Sequence, residues 1–402
     1  MNTIPHKTER LHSLDSLRAI MMLLGLVIHS SVTYGAVNYG GAWFLKDPGT
    51  THVSNDFIVF FIHAFRMQIF FMVAGFFGAM LFYERSPIKM IKNRISRVVL
   101  PFIVFVLLLY PSIKFGIAYT NLIFQGGVNA FMEALATLSS WDTLIPSSTF
   151  HLWFLYYLAL ITFVSAGLAF FFQKMNKISA AISATFNWLI VRPVLRVLFF
   201  GVMTAMVYYI MGTTSLATPF SFVPDVNAFI YYFSFYIVGW VLFKSKHQLD
   251  QMMKADWLCV ILAISLFSIN FFFPGFFNFF GLIAIKSLTV WLFIFGFTGL
   301  FIRYASNHSA MMRYVSDASY WVYLVHLSIV VLIPSFIVNW PIPPTLKFLT
   351  VLSLTGLICF VSYHYLVRTT FIGKFLNGRK YSRKLSDIQK QEEHSKPKMA
   401  LG

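Results

Sequence analysis

The sequence predicts an all-α membrane protein with about ten transmembrane helices, and three observations support this prediction. Of the 402 residues, 58% are hydrophobic and only 11% are charged, whereas soluble domains carry about 25% charged residues. The mean hydropathy is +0.72. Apolar stretches follow one another nearly from end to end. Such a chain has too few polar residues to cover a water-facing surface, so we expect a polytopic membrane protein.

Ten apolar stretches are long enough for a helix to cross a bilayer, which needs about 20 residues for a ~30 Å core. They occupy residues 14–34, 56–83, 98–122, 150–172, 194–212, 226–243, 257–274, 277–302, 317–338 and 347–367. Between them, we expect an interfacial segment at 173–196, and at 121–149 either an outer amphipathic helix or a solvated connector. Residues 14–368 are predicted to form one integral domain, flanked by the cytoplasmic segments 1–13 and 369–402.

Basic residues are distributed asymmetrically between the loops. If the N-terminus is cytoplasmic, nearly all of them lie inside, and the opposite loops hold little beyond Lys46 and Lys347. This is the pattern of the positive-inside rule, so we expect both termini to be cytoplasmic. The formal net charge of +17 is then explained by membrane orientation, and we expect no nucleic-acid partner.

The first apolar stretch, Leu14 to Thr33, carries Asp15 and Arg18 at its start and His29 near its end. Arg18 and His29 are eleven positions apart, which at ~100° per residue places both on one helix face, ~16 Å apart along the axis. Ionisable groups inside a membrane are costly and usually face a protein interior or a water-filled cavity. The stripe is therefore a functional candidate. Because Arg18 and His29 interrupt the apolar run, we expect an uncleaved helix rather than a signal peptide.

The second apolar stretch contains four polar groups within thirteen residues: Asp56, His63, Arg66 and Gln68. In a continuous helix, the first three share one side, and Gln68 lies one turn away. A buried Arg66 requires a paired acid, a bound anion or water. We favour substrate binding for this group over simple helix pairing.

Further polar residues lie along the chain, with less decisive spacing. Lys92, Arg94 and Arg97 serve equally well as topology determinants or as a pocket for a phosphorylated donor. The remaining candidates are His151 and Trp153 at the fourth span, Lys286 in the eighth, and Asp317, Ser319, Tyr320 and His326 around the ninth. No zinc-protease, nucleotide-loop or nucleophile-elbow motif is present, and the two cysteines, Cys259 and Cys359, lie in apolar stretches. We therefore expect no metal and no permanently bound cofactor.

Five segments, in order between residues 10 and about 368, resemble motifs of the acyltransferase 3 family of integral membrane proteins. They read LDSLRAIMMLLGLVIH, FRMQIFFMVAGFF, NRISRVVLPF, HLWFL and ASYWVYLVH. Within this family, FIHAFRMQIFF and HLWFL are most similar to the glucans biosynthesis protein C branch, which is linked to succinylation of periplasmic glucans.

The resemblance implies acyl transfer, of succinyl or acetyl, from a cytoplasmic acyl-CoA to a glycan on the far side of a bacterial inner membrane. It matches His29 to the catalytic histidine, Arg18 to its partner arginine, and Arg94 and Arg97 to a block associated with the donor. The expected partners are the acyl-CoA donor, the glycan acceptor, the lipid bilayer and glycan-synthesis proteins.

On this basis we predict that His29 acts as general base on the acceptor hydroxyl, because an imidazole titrates near neutral pH. Asp15 is expected to pair with Arg18 at a spacing of three, and Arg66 to stabilise an oxyanion or a succinyl carboxylate. The residues predicted to bind substrate are His63, Arg66, Gln68, Arg94, Arg97, His151, Trp153, Ser319 and His326. Direct transfer and an acyl-histidine intermediate both remain open.

Two other functional classes fit parts of the sequence. A transporter of an anion or a glycan would use the buried charges as its pathway, but the chain contains no internal repeat to support it. An inactive assembly partner of a glycan synthase is the third interpretation, and the presence of Arg18 and His29 argues against it.

Overall fold

The computed structural model describes residues 11–139, 141–173, 175–307, 309–384 and 387. Within these ranges the ordered elements are helices, and no β-strand occurs. The all-α prediction is therefore confirmed. Residues 1–10 and half of the predicted tail 369–402 lie outside the described ranges, and so do the predictions made for them.

Within the described residues, seventeen α-helices follow one another along the chain. The first nine are α1 His12–Ser31, α2 Val53–His63, α3 Arg66–Met80, α4 Pro87–Arg94, α5 Leu100–Phe124, α6 Ala130–Ala136, α7 Trp141–Leu144, α8 Trp153–Phe172 and α9 Asn176–Ile190. The others are α10 Pro193–Met211, α11 Val226–Lys244, α12 Asp256–Phe272, α13 Phe279–Tyr304, α14 Ala310–Val330, α15 Ile333–Ile337, α16 Pro344–Ser362 and α17 Phe371–Asn377. Leu81–Arg85, Ile95–Val99 and Tyr363–Val367 are π-helical.

Eight helical runs in the described ranges are long and apolar enough to cross a membrane. A ninth is obtained if the pair Lys246–Met253 and Asp256–Phe272, bent by 64°, forms one span. The ninth predicted crossing falls on α14, which is helical but is interrupted by polar side chains such as Asp317 and His326. A multi-pass membrane protein is thus confirmed, with eight or nine qualifying spans where ten were predicted.

The second predicted crossing is broken. α2 ends at His63, Ala64 and Phe65 form a turn in which Phe65 has φ −141°, and α3 begins at Arg66. The prediction that Asp56, His63 and Arg66 share one side of a helix is therefore wrong, because it requires an uninterrupted helix.

The two predicted connecting segments have different outcomes. The single amphipathic helix predicted at 121–149 is wrong, because the chain there forms two short helices, α6 and α7, after the Gly126–Gly127 turn. α9 has 15 residues and is thus ~22 Å long, too short to span the membrane core. It exposes the apolar side chains of Ile178, Ile182 and Trp188, as expected for an interfacial helix.

The chain forms two compact units that divide α1 between Met21 and Met22. Unit 1 comprises the described residues of Met1–Met21, Phe60–Val99 and Ser147–Asn307, and unit 2 those of Met22–Val59, Leu100–Pro146 and His308–Gly402. In unit 1, α3 packs closely on α11, since a Cβ at Gly75 would lie 2.0 Å from the Tyr236 carbonyl oxygen. The core of unit 2 joins α1, α14, α15 and α16 through Leu26, Tyr34, Val322, Val330, Ile333, Ile337, Phe348, Val351 and Cys359.

Candidate functional site

The helix α1 carries both principal candidates. It runs unbroken from His12 to Ser31, so the predicted helical spacing of Arg18 and His29 is preserved. Because the units divide this helix between Met21 and Met22, Arg18 belongs to unit 1 and His29 to unit 2.

In unit 1, Arg18 forms an ion pair with Asp15. Its Nη2 lies 3.2 Å from Asp15 Oδ1, as the spacing of three predicted, and its guanidinium carbon lies 5.4 Å from the centre of the Phe77 ring. The Arg18 side chain is 36% exposed and that of Asp15 is 14% exposed. Arg18 is therefore held in place while its cation remains accessible to an anion.

Arg94, the last residue of α4, adds a second cation close to Arg18. Its Nη2 donates to the Ala74 carbonyl at 3.4 Å, and the two guanidinium groups are near enough to repel each other. Its Nε is buried and has no hydrogen-bond partner among the described residues. A carbonyl satisfies an N–H group but does not neutralise the cation, so Arg18 and Arg94 together favour a polyanionic ligand such as a phosphate ester.

Arg97 follows in the π-helical segment Ile95–Val99, where it is half-buried. Such π-helical turns frequently occur at functional sites. Its position, three residues after Arg94, places it in the same basic block on the chain.

A second cluster in unit 1 is built around two consecutive tyrosines of α11. The Gln68 Nε2 donates to the Tyr231 hydroxyl at 3.1 Å, and the Tyr208 hydroxyl donates to the same oxygen at 2.9 Å. Trp153 contacts Tyr232, with 5.4 Å between ring centroids. The structure thus brings the predicted residues Gln68 and Trp153 to one aromatic pair.

Arg66 is buried at the start of α3. Its Nε donates to the Met21 carbonyl at 2.8 Å, and its charge acts on both His63 and Tyr232. Arg66 therefore lies beside the tyrosine cluster, and His63 lies near it despite the break between α2 and α3. The side chain of His63 is exposed.

His151 is buried in the short turn Phe150–Leu152 that leads into α8. The preceding residue, Phe150, has φ 44°, a left-handed conformation that non-glycine residues rarely adopt. This turn places His151 two residues before Trp153, as the sequence requires, and its role in substrate binding stays a prediction.

In unit 2, the half-buried imidazole of His29 is held between two rings. Trp43 stacks on it with 5.4 Å between centroids, and His326 of α14 lies at 5.3 Å on a tilted plane. The Trp43 Nε1 donates to Thr33 Oγ1 at 3.0 Å, which fixes the indole against the turn Val32–Tyr34 that follows α1. The candidate base His29 is therefore positioned by contacts with the Trp43 indole and with the imidazole of His326.

The tautomer of His326 is set by its own helix. Its Nδ1 lies 2.8 Å from the Tyr323 carbonyl oxygen and 3.1 Å from that of Val322. Since a carbonyl oxygen only accepts, Nδ1 carries the proton, and Nε2 of the neutral ring is an acceptor. Ser319, one turn earlier, is buried and donates to the Ser316 carbonyl at 2.9 Å.

The loop that carries Trp43 is fastened to the start of α2 by Asp56. This buried carboxylate accepts hydrogen bonds from the Ala36 amide at 2.7 Å and from the Tyr39 hydroxyl at 2.7 Å. Burial, reinforced by the hydrogen bond and the charge of Asp56, raises the pKa of Tyr39. A Cβ at Gly35 would lie 2.2 Å from Asp56 Oδ1, so the close approach requires glycine. Asp56 thus holds the loop in place through its hydrogen bonds to Ala36 and Tyr39.

The same loop has a second anchor at its other end. Lys347 and Asp47 form a buried ion pair at 2.9 Å, with side chains 1% and 0% exposed. Lys347 also donates to the Val338 carbonyl at 2.7 Å, and Asp47 accepts from the amides of Gly49 and Thr50 at 2.9 Å each. The two charges therefore neutralise each other and both groups make further hydrogen bonds, as burial requires.

Lys286, whose role the sequence leaves unassigned, has a defined partner. Its Nζ donates to the Thr214 carbonyl at 2.9 Å. The described residues contain no group of three histidine, cysteine or carboxylate side chains arranged for a metal ion.

Several contacting residues were not among the sequence candidates: Trp43, Phe77, Tyr231, Tyr232 and the pair Asp47–Lys347. Helical spacing cannot find them, because each contacts its partner from a different helix or from a loop. Lys46 and Lys347 stand out in the sequence, because they are nearly the only basic residues in the loops predicted to lie outside.

Comparison with known proteins places the chain in a family. The Acyltransferase domain of the acyltransferase 3 family matches residues 11–364. Glucans biosynthesis protein C of Salmonella schwarzengrund (strain CVM19633) is 34% identical over 187 residues, and that of Salmonella typhi is 35% identical over 188 residues. The aligned region covers 44% of this chain and 44% of each relative, so the chain spans less than half the length of these relatives. No solved structure matches it significantly.

These matches confirm the resemblance seen in the motifs and favour the enzyme over the transporter. The domain covers all the candidate residues from Asp15 to His326. The chain belongs to the acyltransferase 3 family of integral membrane proteins, with an acyltransferase domain that extends over residues 11–364.

Proposed function

We propose that this protein is a membrane-bound O-acyltransferase that moves a succinyl or acetyl group from a cytoplasmic acyl-CoA to a periplasmic or cell-surface glycan. The observation that carries the proposal is the setting of His29, held between the rings of Trp43 and His326 on a helix that also carries Arg18. A positioned imidazole is the usual general base for activating a hydroxyl group.

In the proposed reaction, His29 accepts the proton of the acceptor hydroxyl as its oxygen attacks the thioester carbonyl. A C–O bond forms, the C–S bond breaks, and the proton passes from His29 to the departing CoA thiolate. The products are the O-acyl glycan and free CoA, so atoms and charges balance without a cofactor.

The donor end of the proposal rests on Arg18, Arg94 and Arg97. The charge of Arg18 acts unfavourably on that of Arg94, and a bound anion would offset this repulsion. The phosphate groups of CoA supply such an anion, and guanidinium groups match phosphate oxygens geometrically.

The proposal that the acceptor is a glycan is based on the names of the similar proteins. Their name refers to glucan biosynthesis, and we extend this chemistry to the present chain as a proposal. An extracytoplasmic acceptor also fits the predicted orientation, in which the N-terminal end of α1 faces the cytoplasm and His29 lies towards the opposite side. The bacterial inner membrane is the location that this reaction requires.

The test compares cells that produce the intact protein, a deletion, His29→Ala or His247→Ala at equal levels. His247 is an exposed histidine in unit 1 and serves as the matched control. Mass spectrometry of the periplasmic and surface glycans should show an acyl increment that disappears in the deletion and in His29→Ala only. With purified protein, His29→Ala should lower the transfer rate by about 10²- to 10⁴-fold.

An increment that persists in His29→Ala would remove His29 from the reaction. If the deletion changes no glycan, the acceptor class is wrong.

A further inference from the structure

We propose that residues Gly35–Thr51, here called the acceptor loop, form the binding surface for the acceptor, and that this acceptor is a neutral, polyhydroxylated saccharide. This inference rests on the proposed function, because it assigns a site to the acceptor of that reaction. All the residues that carry it belong to unit 2.

The acceptor loop is rigidly anchored, as a preorganised binding surface must be. Asp56 holds its beginning through Ala36 and Tyr39, and the buried Asp47–Lys347 pair holds its end. Preorganisation lowers the entropic cost of binding a flexible ligand. A loop that served only as a connector would need neither a buried carboxylate at one end nor a buried ion pair at the other.

The loop also leads to the candidate base. Trp43 stacks directly on His29, while the next side chain, Phe44, is 65% exposed. Sugar rings present apolar C–H faces that pack on aromatic rings, and an exposed aromatic side chain offers a large contact area for them. A saccharide on this surface therefore approaches the imidazole that has to receive its proton.

A polar cleft is formed by the residues that follow these aromatic residues in the chain. It has a volume of about 390 Å³ and is lined by Lys46, Asp47, Pro48, Gly49, Thr50 and Thr51. This volume lies within the ~300–1,000 Å³ range of small-molecule sites. Its residues offer hydroxyl, amide and ammonium groups, which match a ligand rich in hydroxyl groups.

One group in this cleft lacks a partner. The Thr50 Oγ1 is buried and makes no hydrogen bond within the described part of the chain, although the Thr50 amide donates to Asp47. A buried polar atom without a partner is uncommon in folded proteins and needs an explanation. Rotation of the partly exposed Thr50 side chain would bring Oγ1 into the cleft, where a hydroxyl group of the acceptor would provide the missing hydrogen bond.

The charge of the cleft favours a neutral ligand. The Asp47 carboxylate is neutralised by Lys347, and the Lys46 Nζ donates to the Ala36 carbonyl at 2.7 Å. No cluster of like charges therefore faces the ligand, in contrast to the Arg18–Arg94 pair of unit 1.

The experiment uses the full-length protein in lipid nanodiscs, with radiolabelled succinyl-CoA or acetyl-CoA as donor and an unsubstituted glucose oligosaccharide as acceptor. Thr50→Val keeps the shape of the side chain and the amide bond to Asp47, but removes the hydroxyl. We expect it to raise the KM for the oligosaccharide about tenfold and to leave the KM for the donor unchanged. Phe44→Ala should raise the acceptor KM several-fold.

The matched control is Thr350→Val. Thr350 is a threonine on α16 whose hydroxyl donates within its own helix to Leu346, so neither KM should change. If the wild type acylates the oligosaccharide and neither Thr50→Val nor Phe44→Ala alters the acceptor KM, the acceptor loop is not the binding surface, while the proposed function stands. If the wild type binds acyl-CoA but acylates no saccharide, the glycan acceptor is wrong and the loop assignment falls with it.

Discussion

The two units compensate their buried cations in different ways. In unit 2, Lys347 pairs with Asp47, and Arg313 pairs with Asp317 at 3.1 Å with both side chains under 10% exposed. In unit 1, Arg94, Arg196 and Lys286 donate instead to backbone carbonyls. Ion pairs do occur in unit 1, for example Arg303 with Asp256, but the Arg303 side chain is 39% exposed and therefore solvated.

This difference distinguishes buried ion pairs that hold the fold together, here called clamps, from cations that can bind a ligand. A carboxylate neutralises a cation, so the Asp47–Lys347 pair of unit 2 carries no surplus charge, whereas Asp317 faces both Arg313 and the buried Arg368. These contacts hold loops and helices together. A carbonyl satisfies only the N–H groups, so a cation held this way keeps its charge and attracts an anion. The comparison is consistent with the proposed donor site at Arg18 and Arg94 in unit 1 and with the fixed position of His29 in unit 2.

Within unit 1, the buried arginines Arg196 and Arg94 differ from each other in their hydrogen bonds. Arg196 is 0% exposed and donates to the carbonyls of Ile190, Gln251, Met252 and Lys254. Arg94 makes one long bond to a carbonyl, at 3.4 Å, and lies beside Arg18. Arg196 connects the end of α9 to the segment 251–254 through hydrogen bonds. Arg94 still has N–H groups that can donate to a ligand.

The largest expected effect concerns the buried Asp47–Lys347 ion pair, the clamp of unit 2. Lys347→Met leaves the Asp47 carboxylate buried without its partner, which typically costs about 3–5 kcal/mol of stability. Unfolding of the detergent-solubilised protein measures this loss. Lys246→Met removes an exposed ion pair with Glu84 and should cost less than about 1 kcal/mol.

Asp47→Asn in the Lys347→Met background supplies the rescue. The neutral amide keeps an acceptor oxygen for the Gly49 and Thr50 amides, so the double variant should regain most of the lost stability. If Lys347→Met is no less stable than Lys246→Met, the pair is not a clamp.

A smaller effect is expected for the cations of unit 1. Arg94→Gln should weaken binding of a non-hydrolysable acyl-CoA by about 10- to 100-fold, because charge-assisted hydrogen bonds to phosphate contribute about 1.5–3 kcal/mol. It should leave the melting temperature nearly unchanged. Equilibrium binding at two salt concentrations measures the affinity and its electrostatic share.

Arg196→Gln is the control for this prediction and should show the opposite pattern, with lower stability and unchanged affinity in the protein that remains folded. Equal effects of both substitutions on affinity and on stability would erase the distinction between the two arginines.

The smallest expected effect concerns Arg66. If Arg66 binds the free carboxylate of a succinyl donor, Arg66→Gln should lower succinyl transfer about fivefold more than acetyl transfer, since only succinyl carries that charge. The substitution also removes the hydrogen bond from Arg66 to the Met21 carbonyl. This loss affects succinyl and acetyl transfer alike, so it cancels in the ratio of their kcat/KM values.

Gln68→Met serves as the neutral comparison, because Gln68 belongs to the adjacent tyrosine cluster but carries no charge. It should reduce both transfers by the same factor. An unchanged donor ratio in Arg66→Gln would leave Arg66 with a purely structural role.

Much of the fold follows from the order of the residues. Apolar length places a helix in each of the ten predicted stretches, and the spacing of Asp15, Arg18 and His29 is realised because α1 is continuous. These properties depend on neighbours within one helix, which local sequence determines.

The break between α2 and α3 shows where this reasoning stops. The segment from Ile62 to Met67 contains neither glycine nor proline, so nothing local marks a helix end there. The turn at Ala64 and Phe65 instead depends on how the two parts of the crossing pack in the fold. The sequence therefore predicted a shared helix face for Asp56 and Arg66 that does not exist.

By itself the sequence determined the helices, the family and the line of polar residues on α1. Only the tertiary structure decided that Trp43 and His326 enclose His29, that Asp56 anchors a loop, and that Lys347 lies buried against Asp47. These contacts join residues up to 300 positions apart. No periodicity encodes such contacts, because burial and charge pairing act through space rather than along the chain.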